Sequence, residues 1–101
     1  LLPALIVLDL NMPGLDGRQV LQTIKEDKNL KQIPVIILTT SSNDKDVRNC
    51  YYMGANTYIQ KPVNFYELVT VVEHLKGYWL ETAILPSPQI FLGAAAGFSS
   101  Q

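Results

Sequence analysis

A chain of 101 residues bounds the protein to one domain with a modest core. Nearly half of those residues are hydrophobic (48%) and the formal net charge is −1, a balance that excludes intrinsic disorder. Eight basic residues against nine acidic ones leave no electrostatic footprint for nucleic acid, so no nucleic-acid partner is expected.

The first element is Ala4-Leu5-Ile6-Val7-Leu8-Asp9-Leu10, an apolar run without period-2 alternation. Such a run predicts a strand buried on both faces of a parallel sheet. Asp9, its only charge, comes where the strand ends, and open α/β sheets gather ligands and chemistry beyond the carboxyl ends of their strands. A carboxylate there can also be a plain turn residue. Pro13-Gly14 then breaks the backbone, and Asp16 stands as an N-cap for a helix carrying Val20, Leu21 and Ile24 to about Asp27. Glu26 and Asp27 interrupt the basic run of Lys25, Lys28 and Lys31, which therefore reads as a solvated helix face. Asn29 to Gln32 form the exit loop.

Pro34-Val35-Ile36-Ile37-Leu38-Thr39-Thr40 is a second apolar strand, opened by a proline that needs no ladder partner. Ser41, Ser42 and Asn43 are candidate caps for a helix that turns Val47, Cys50 and Tyr51 inward and stops at Gly54. Cys50 is the single cysteine, which excludes an internal disulfide and a cysteine metal cluster and suggests a small buried thiol. Asn56 to Gln60 is a short third strand ending at Lys61-Pro62, where a cis bond would aim the lysine back over the sheet. Asn64 caps a last helix, with Glu67 close to a capping box and Phe65, Leu68, Val72, Leu75 and Trp79 as its apolar stripe. His74, the single histidine, lies between Glu73 and Lys76 and is expected on the surface.

The order β-α-β-α-β-α with right-handed crossovers predicts a three-stranded parallel sheet with helices on both faces. Residues 1–85 read as the domain. From Pro86-Ser87-Pro88 the character changes, and 86–101 read as a tail or extension. No apolar run reaches the roughly 18 residues that span a membrane. A charged secretory n-region is absent too, so no membrane partner and a cytoplasmic location are expected. The chain begins at Leu1 without a methionine, which leads us to expect an upstream segment.

Asp9, Thr39 (with Thr40) and Lys61 end the three strands, and parallel strands bring those ends to one edge. A carboxylate, a hydroxyl and an ammonium so gathered suit an acyl phosphate, with Asp9 as nucleophile and Thr39 and Lys61 binding phosphoryl oxygens. Together these motifs resemble the response-regulator receiver domain of two-component signalling over Leu5 to about Leu80. The matching stretches are Leu8-Asp9-Leu10-Asn11-Met12-Pro13 with Asp16-Gly17, Pro34 to Thr40, Gly54-Ala55 with Tyr58, and Lys61-Pro62. The resemblance implies a flavodoxin-like doubly wound parallel sheet, of which this sequence holds the last three strand–helix units. It implies a phosphoacceptor at Asp9, a switch made of Thr39 and Tyr58, a phosphate-binding Lys61, and Mg2+ held by Asp9 and the backbone carbonyl of Asn11.

A finer resemblance lies in Asp16-Gly17-Arg18-Gln19-Val20-Leu21, Leu38-Thr39-Thr40-Ser41, Tyr78-Trp79-Leu80-Glu81 and Leu85-Pro86. It is to the single-domain regulators that partner phytochrome-type histidine kinases. Tyr78 and Trp79 read either as core packing or as anchors for a partner. The family's first two strand–helix units, with the acidic pair that binds magnesium, have no counterpart here. That leaves Ala4–Leu10 as an exposed apolar edge, from which a homodimer is expected, through that edge or through the face around Leu75 and Trp79. One alternative function is a phosphorylation-incompetent interaction module that self-associates. A small doubly wound enzyme or nucleotide binder is disfavoured because no Gly-rich phosphate loop follows any strand.

Overall fold

In the computed structural model, residues 3–86 are described, and beyond them the backbone strands Ile90–Leu92 and Phe98–Ser100. The apolar run at the front forms β1 (Ile6–Leu8), shorter than predicted. It leads into a tight hairpin of β2 (Asn11–Met12) and β3 (Leu15–Asp16), with Asn11 opposite Asp16 and Met12 opposite Leu15. Pro13 and Gly14 make its turn. Gly14 sits at φ +73°, the positive φ that the second central residue of a type II turn requires.

Asp16 ends β3 and caps α1 (Gly17–Glu26) by accepting from the Arg18 backbone N–H at 2.9 Å. Next come β4 (Val35–Thr39), α2 (Asp44–Tyr52) and β5 (Thr57–Gln60). Asn43 caps α2, and Gly54 closes its carboxyl end. Asn64 caps α3 (Phe65–Leu75) through the N–H groups of Tyr66 and Glu67, and the helix continues as a π-helical segment, Lys76–Thr82.

The three predicted strands are parallel neighbours in the order β5-β4-β1. Ile6 lies opposite Val35 and Leu8 opposite Ile37, while Ile36 pairs Thr57 and Thr39 pairs Gln60. Their carboxyl ends therefore reach one edge together. Side chains alternate across this sheet. Ile6, Leu8, Val35 and Ile37 join Leu21 and Ile24 of α1 and Cys50 of α2 in one buried cluster. Leu8, Leu21, Ile37 and Cys50 are wholly buried, and each large aliphatic side chain so placed is worth about 1.5–3 kcal/mol. Tyr58 packs on that cluster, whereas its neighbours Thr57 and Ile59 line a cleft with Val71 and Leu75 of α3. Helices thus flank both faces.

Three expectations are corrected. Among the described residues the sheet has five strands, not three: β6 (Ile90–Leu92) runs parallel to β1 with Phe91 opposite Ile6, and β7 (Phe98–Ser100) is antiparallel to β6. The edge of β1 is therefore not open, because its unpaired N–H and C=O groups find a partner in the chain's own carboxyl end. Tyr51 does not turn inward. It is 48% exposed, and its hydroxyl accepts from the Tyr58 N–H at 3.1 Å. The stripe on α3 is not a buried face either: Phe65 is 70% and Val72 47% exposed, with Leu68, Leu75 and Trp79 half-buried. Helical spacing gave the stripe correctly, but spacing says nothing about what lies against it.

Candidate functional site

Asp9 follows the last residue of β1, Thr39 ends β4 and Lys61 follows β5, so the parallel register brings the three together. One carboxylate oxygen of Asp9, Oδ2, accepts from Lys61 Nζ at 3.0 Å, and Oδ1 accepts from the Asn11 backbone N–H at 3.0 Å. The backbone N–H of Lys61 donates to the Thr39 carbonyl at 2.6 Å, extending the β4–β5 ladder by one residue. That bond aims the lysine. The cis Lys61–Pro62 bond considered from sequence is absent, since the described residues hold no cis peptide.

From below, the start of α1 presses on the backbone of Asp9. The Gly17 N–H donates to the Leu10 carbonyl at 3.1 Å, and a Cβ on Gly17 would collide with the Asp9 carbonyl oxygen. Only glycine fits.

Burial pushes the Asp9 carboxyl up in pKa, but the Asn11 N–H and the Lys61 ammonium outweigh it and hold the group below the usual carboxylate value. The Thr39 hydroxyl, near the carboxylate but outside hydrogen-bond geometry, acts in the same direction. Asp9 is thus an anion at neutral pH. Thr39 is fully buried, and among the described residues its Oγ1 has no hydrogen-bond partner. An orphaned buried hydroxyl is unfavourable and marks a place where a polar group is wanted. The Tyr58 hydroxyl donates to the Ser41 carbonyl at 2.9 Å, and burial raises its pKa.

Sequence reasoning missed a second cluster beside this one. Arg18 grips Asp46 with two bonds, Nε to Oδ1 at 2.8 Å and Nη2 to Oδ2 at 2.6 Å. The Ser41 hydroxyl donates to the same Oδ2 at 2.9 Å. Arg18 and Asp46 stand 28 positions apart and belong to no local pattern, so nothing in the sequence pairs them.

The site offers a divalent cation one carboxylate, Asp9, and the Asn11 backbone carbonyl. Hard cations of the magnesium type take six oxygens in near-octahedral order. Among the described residues no group of three His, Cys, Asp or Glu side chains comes together. Both oxygens of Asp9 are already engaged. The described residues do not by themselves fit a metal.

The family model of the response regulator receiver domain matches residues 2–73. The chain belongs to the response-regulator receiver family. Receiver domains are in general signalling modules rather than enzymes, and they bind Mg2+ or Mn2+ at the phosphorylation site. Response regulator Rcp1 of Synechocystis sp. is 47% identical over 85 residues, covering 84% of this chain and 58% of that protein. The probable methanogenesis regulatory protein FilR2 of Methanothrix harundinacea is 44% identical over 87 residues, 86% of this chain and 56% of that protein. Among solved structures, the Mn(2+)-bound form of Rcp1 superposes with a TM-score of 0.82 at 47% identity, covering 84% of this chain and 61% of that one. The phosphorylated cyanobacterial phytochrome response regulator RcpA gives 0.82 at 48% identity with the same coverage. The receiver sequence here spans less than two thirds of the length of these relatives. Among the described residues, no helix is long and apolar enough to cross a membrane.

Proposed function

We propose that this receiver takes a phosphoryl group from a histidine kinase onto Asp9 and signals through Thr39 and Tyr58. The observation that carries the reading is the meeting of an ionised, lysine-paired carboxylate and a buried hydroxyl without a partner at three strand ends. A carboxylate oxygen of Asp9 attacks the phosphorus of a phosphohistidine. The new P–O bond forms as the P–N bond breaks, its electron pair returning to the imidazole nitrogen. Lys61 then faces a phosphoryl oxygen, and the Thr39 hydroxyl gains the acceptor it lacks. Drawing Thr39 toward the phosphoryl group moves the end of β4, two residues beyond Ile37, which lies opposite Tyr58 on β5. Asp9 and the Asn11 carbonyl would supply two of the oxygens a magnesium ion takes, and the others are not found among the described residues.

In this reading residues 1–85 carry the receiver portion, and 86–101 are an extension that lends strands to its sheet. The cytoplasm is its place. The likeness to the cyanobacterial phytochrome response regulator RcpA supports a kinase of the phytochrome type. The exposed apolar residues of α3, Phe65 and Val72 among them, support a homodimer through that helix. Phosphotransfer tests the assignment: a phosphorylated histidine kinase should label the protein carrying this chain, and Asp9→Asn should abolish the label. An Asp9→Asn protein that still accepts phosphate stoichiometrically overturns it.

A further inference from the structure

The Arg18–Asp46 pair links three elements that the proposed switch depends on. Asp46 lies in the first turn of α2, and its carboxylate is only 19% exposed. Arg18 reaches it from the first turn of α1 with a two-point grip, and Asp16, the cap of that helix, bonds the Arg18 side chain at 3.3 Å. Ser41 is tied twice. Its hydroxyl donates to Asp46, and its backbone carbonyl accepts the Tyr58 hydroxyl. Isolated surface ion pairs contribute little, but a bidentate, partly buried pair with a third hydrogen bond on the same carboxylate is a fixed joint.

Ser41 stands two positions after Thr39, in the loop 40–43 between β4 and α2. We infer that Arg18 and Asp46 are positioning residues for the switch. Their ion pair clamps loop 40–43 to the start of α1, and the clamped Ser41 carbonyl sets where the Tyr58 ring rests. The inference rests on the reading of Thr39 and Tyr58 as the switch. With the clamp closed, Ser41 is held, so a movement of Thr39 shifts the end of β4 against a fixed Ser41 carbonyl on which the Tyr58 hydroxyl rests. With the clamp cut, the loop moves as a unit and Tyr58 loses its fixed acceptor. The clamp thereby ties Tyr58 to the start of α1.

Ring-labelled tyrosine NMR on the full chain, with no phosphodonor present, tests this. Arg18→Ala and Asp46→Asn should each move the Tyr58 ring signals to those of an exposed, freely flipping tyrosine. Amide exchange at Ser41 to Asn43 should quicken on the order of tenfold as the loop opens. The double variant should do no more than either single one, since both cut the same joint. Arg18→Lys, which keeps the charge but loses the fork, should fall between. If Arg18→Ala does not fold, the Asp46→Asn and Arg18→Lys chains carry the same reading. Tyr58 signals unmoved in folded Arg18→Lys and Asp46→Asn chains overturn the clamp. Phosphoryl uptake from acetyl phosphate is followed on the same samples. Uptake by the unsubstituted chain with Tyr58 unmoved in the variants removes the clamp and leaves the phosphoacceptor. Asp9 unmodified while a phosphoryl group is carried elsewhere, with Tyr58 released in the variants, removes the phosphoacceptor and leaves the clamp.

Discussion

At the scale of single residues, the chemistry turns on how Asp9 is kept ionised although it is nearly buried. Its folded pKa lies below the usual carboxylate value of about 3.9, so the group stabilises the fold above that pH and loses this contribution as pH falls through the folded value. Lys61→Met leaves burial opposed mainly by the Asn11 N–H, and the Asp9 pKa should rise. Carboxyl 13C titration measures this, and an unchanged midpoint would remove the lysine from the account. Gly17→Ala forces a methyl group against the Asp9 carbonyl, and overpacking of this kind costs typically 1–3 kcal/mol. Chemical denaturation should show that loss, and an unchanged midpoint would mean that α1 yields freely. Asp9, Thr39 and Lys61 were legible in the sequence because each stands where a stretch that reads as a strand ends. Arg18 and Asp46 were not, since two charges on separate amphipathic helices look like any solvated pair until the fold brings the helix starts together.

Elements were legible in proportion to their length and their punctuation. The helix starts at Asp16, Asn43 and Asn64 were marked by capping residues, and all three side chains accept backbone N–H groups. Asn64→Ala should cost about 1 kcal/mol, read as a lower unfolding midpoint with α3 exchanging first; an unaltered midpoint would mean that tertiary contacts alone hold the helix. The hairpin of β2 and β3 was visible only as its turn, because strands of two residues carry no periodicity. Thr39→Ala tests how β4 communicates with β5. The variant should still take phosphate at Asp9, while the resulting change in backbone NMR signals around Tyr58 shrinks. A full-size change would contradict the switch role of the hydroxyl.

For the whole molecule, the alternation of β and α and the parallel order of the central strands followed from the sequence, whereas the width of the sheet did not. A Pro, Ser, Gly and Ala-rich stretch gives no strand signal, yet β6 comes from it and pairs with β1. What pulls it there is the unsatisfied backbone edge beside buried Ile6 and Leu8, a demand set by the sheet and not by the tail. With that edge occupied, a run of exposed apolar residues remains along α3 and its continuation, including Phe65, Val72 and Tyr78. The chain should therefore sediment as a dimer at micromolar concentration, and Val72→Asp should return it to monomer. A stable monomer for the unsubstituted chain would remove this surface from the account.

The central claim is that Asp9 carries the phosphoryl group, and chemical trapping addresses it most directly. Borohydride reduces an aspartyl phosphate to homoserine, so the protein carrying this chain is phosphorylated, reduced and mapped by peptide mass. Homoserine is expected at position 9 and nowhere else. Phosphate incorporated stoichiometrically with aspartate intact at position 9 would contradict it.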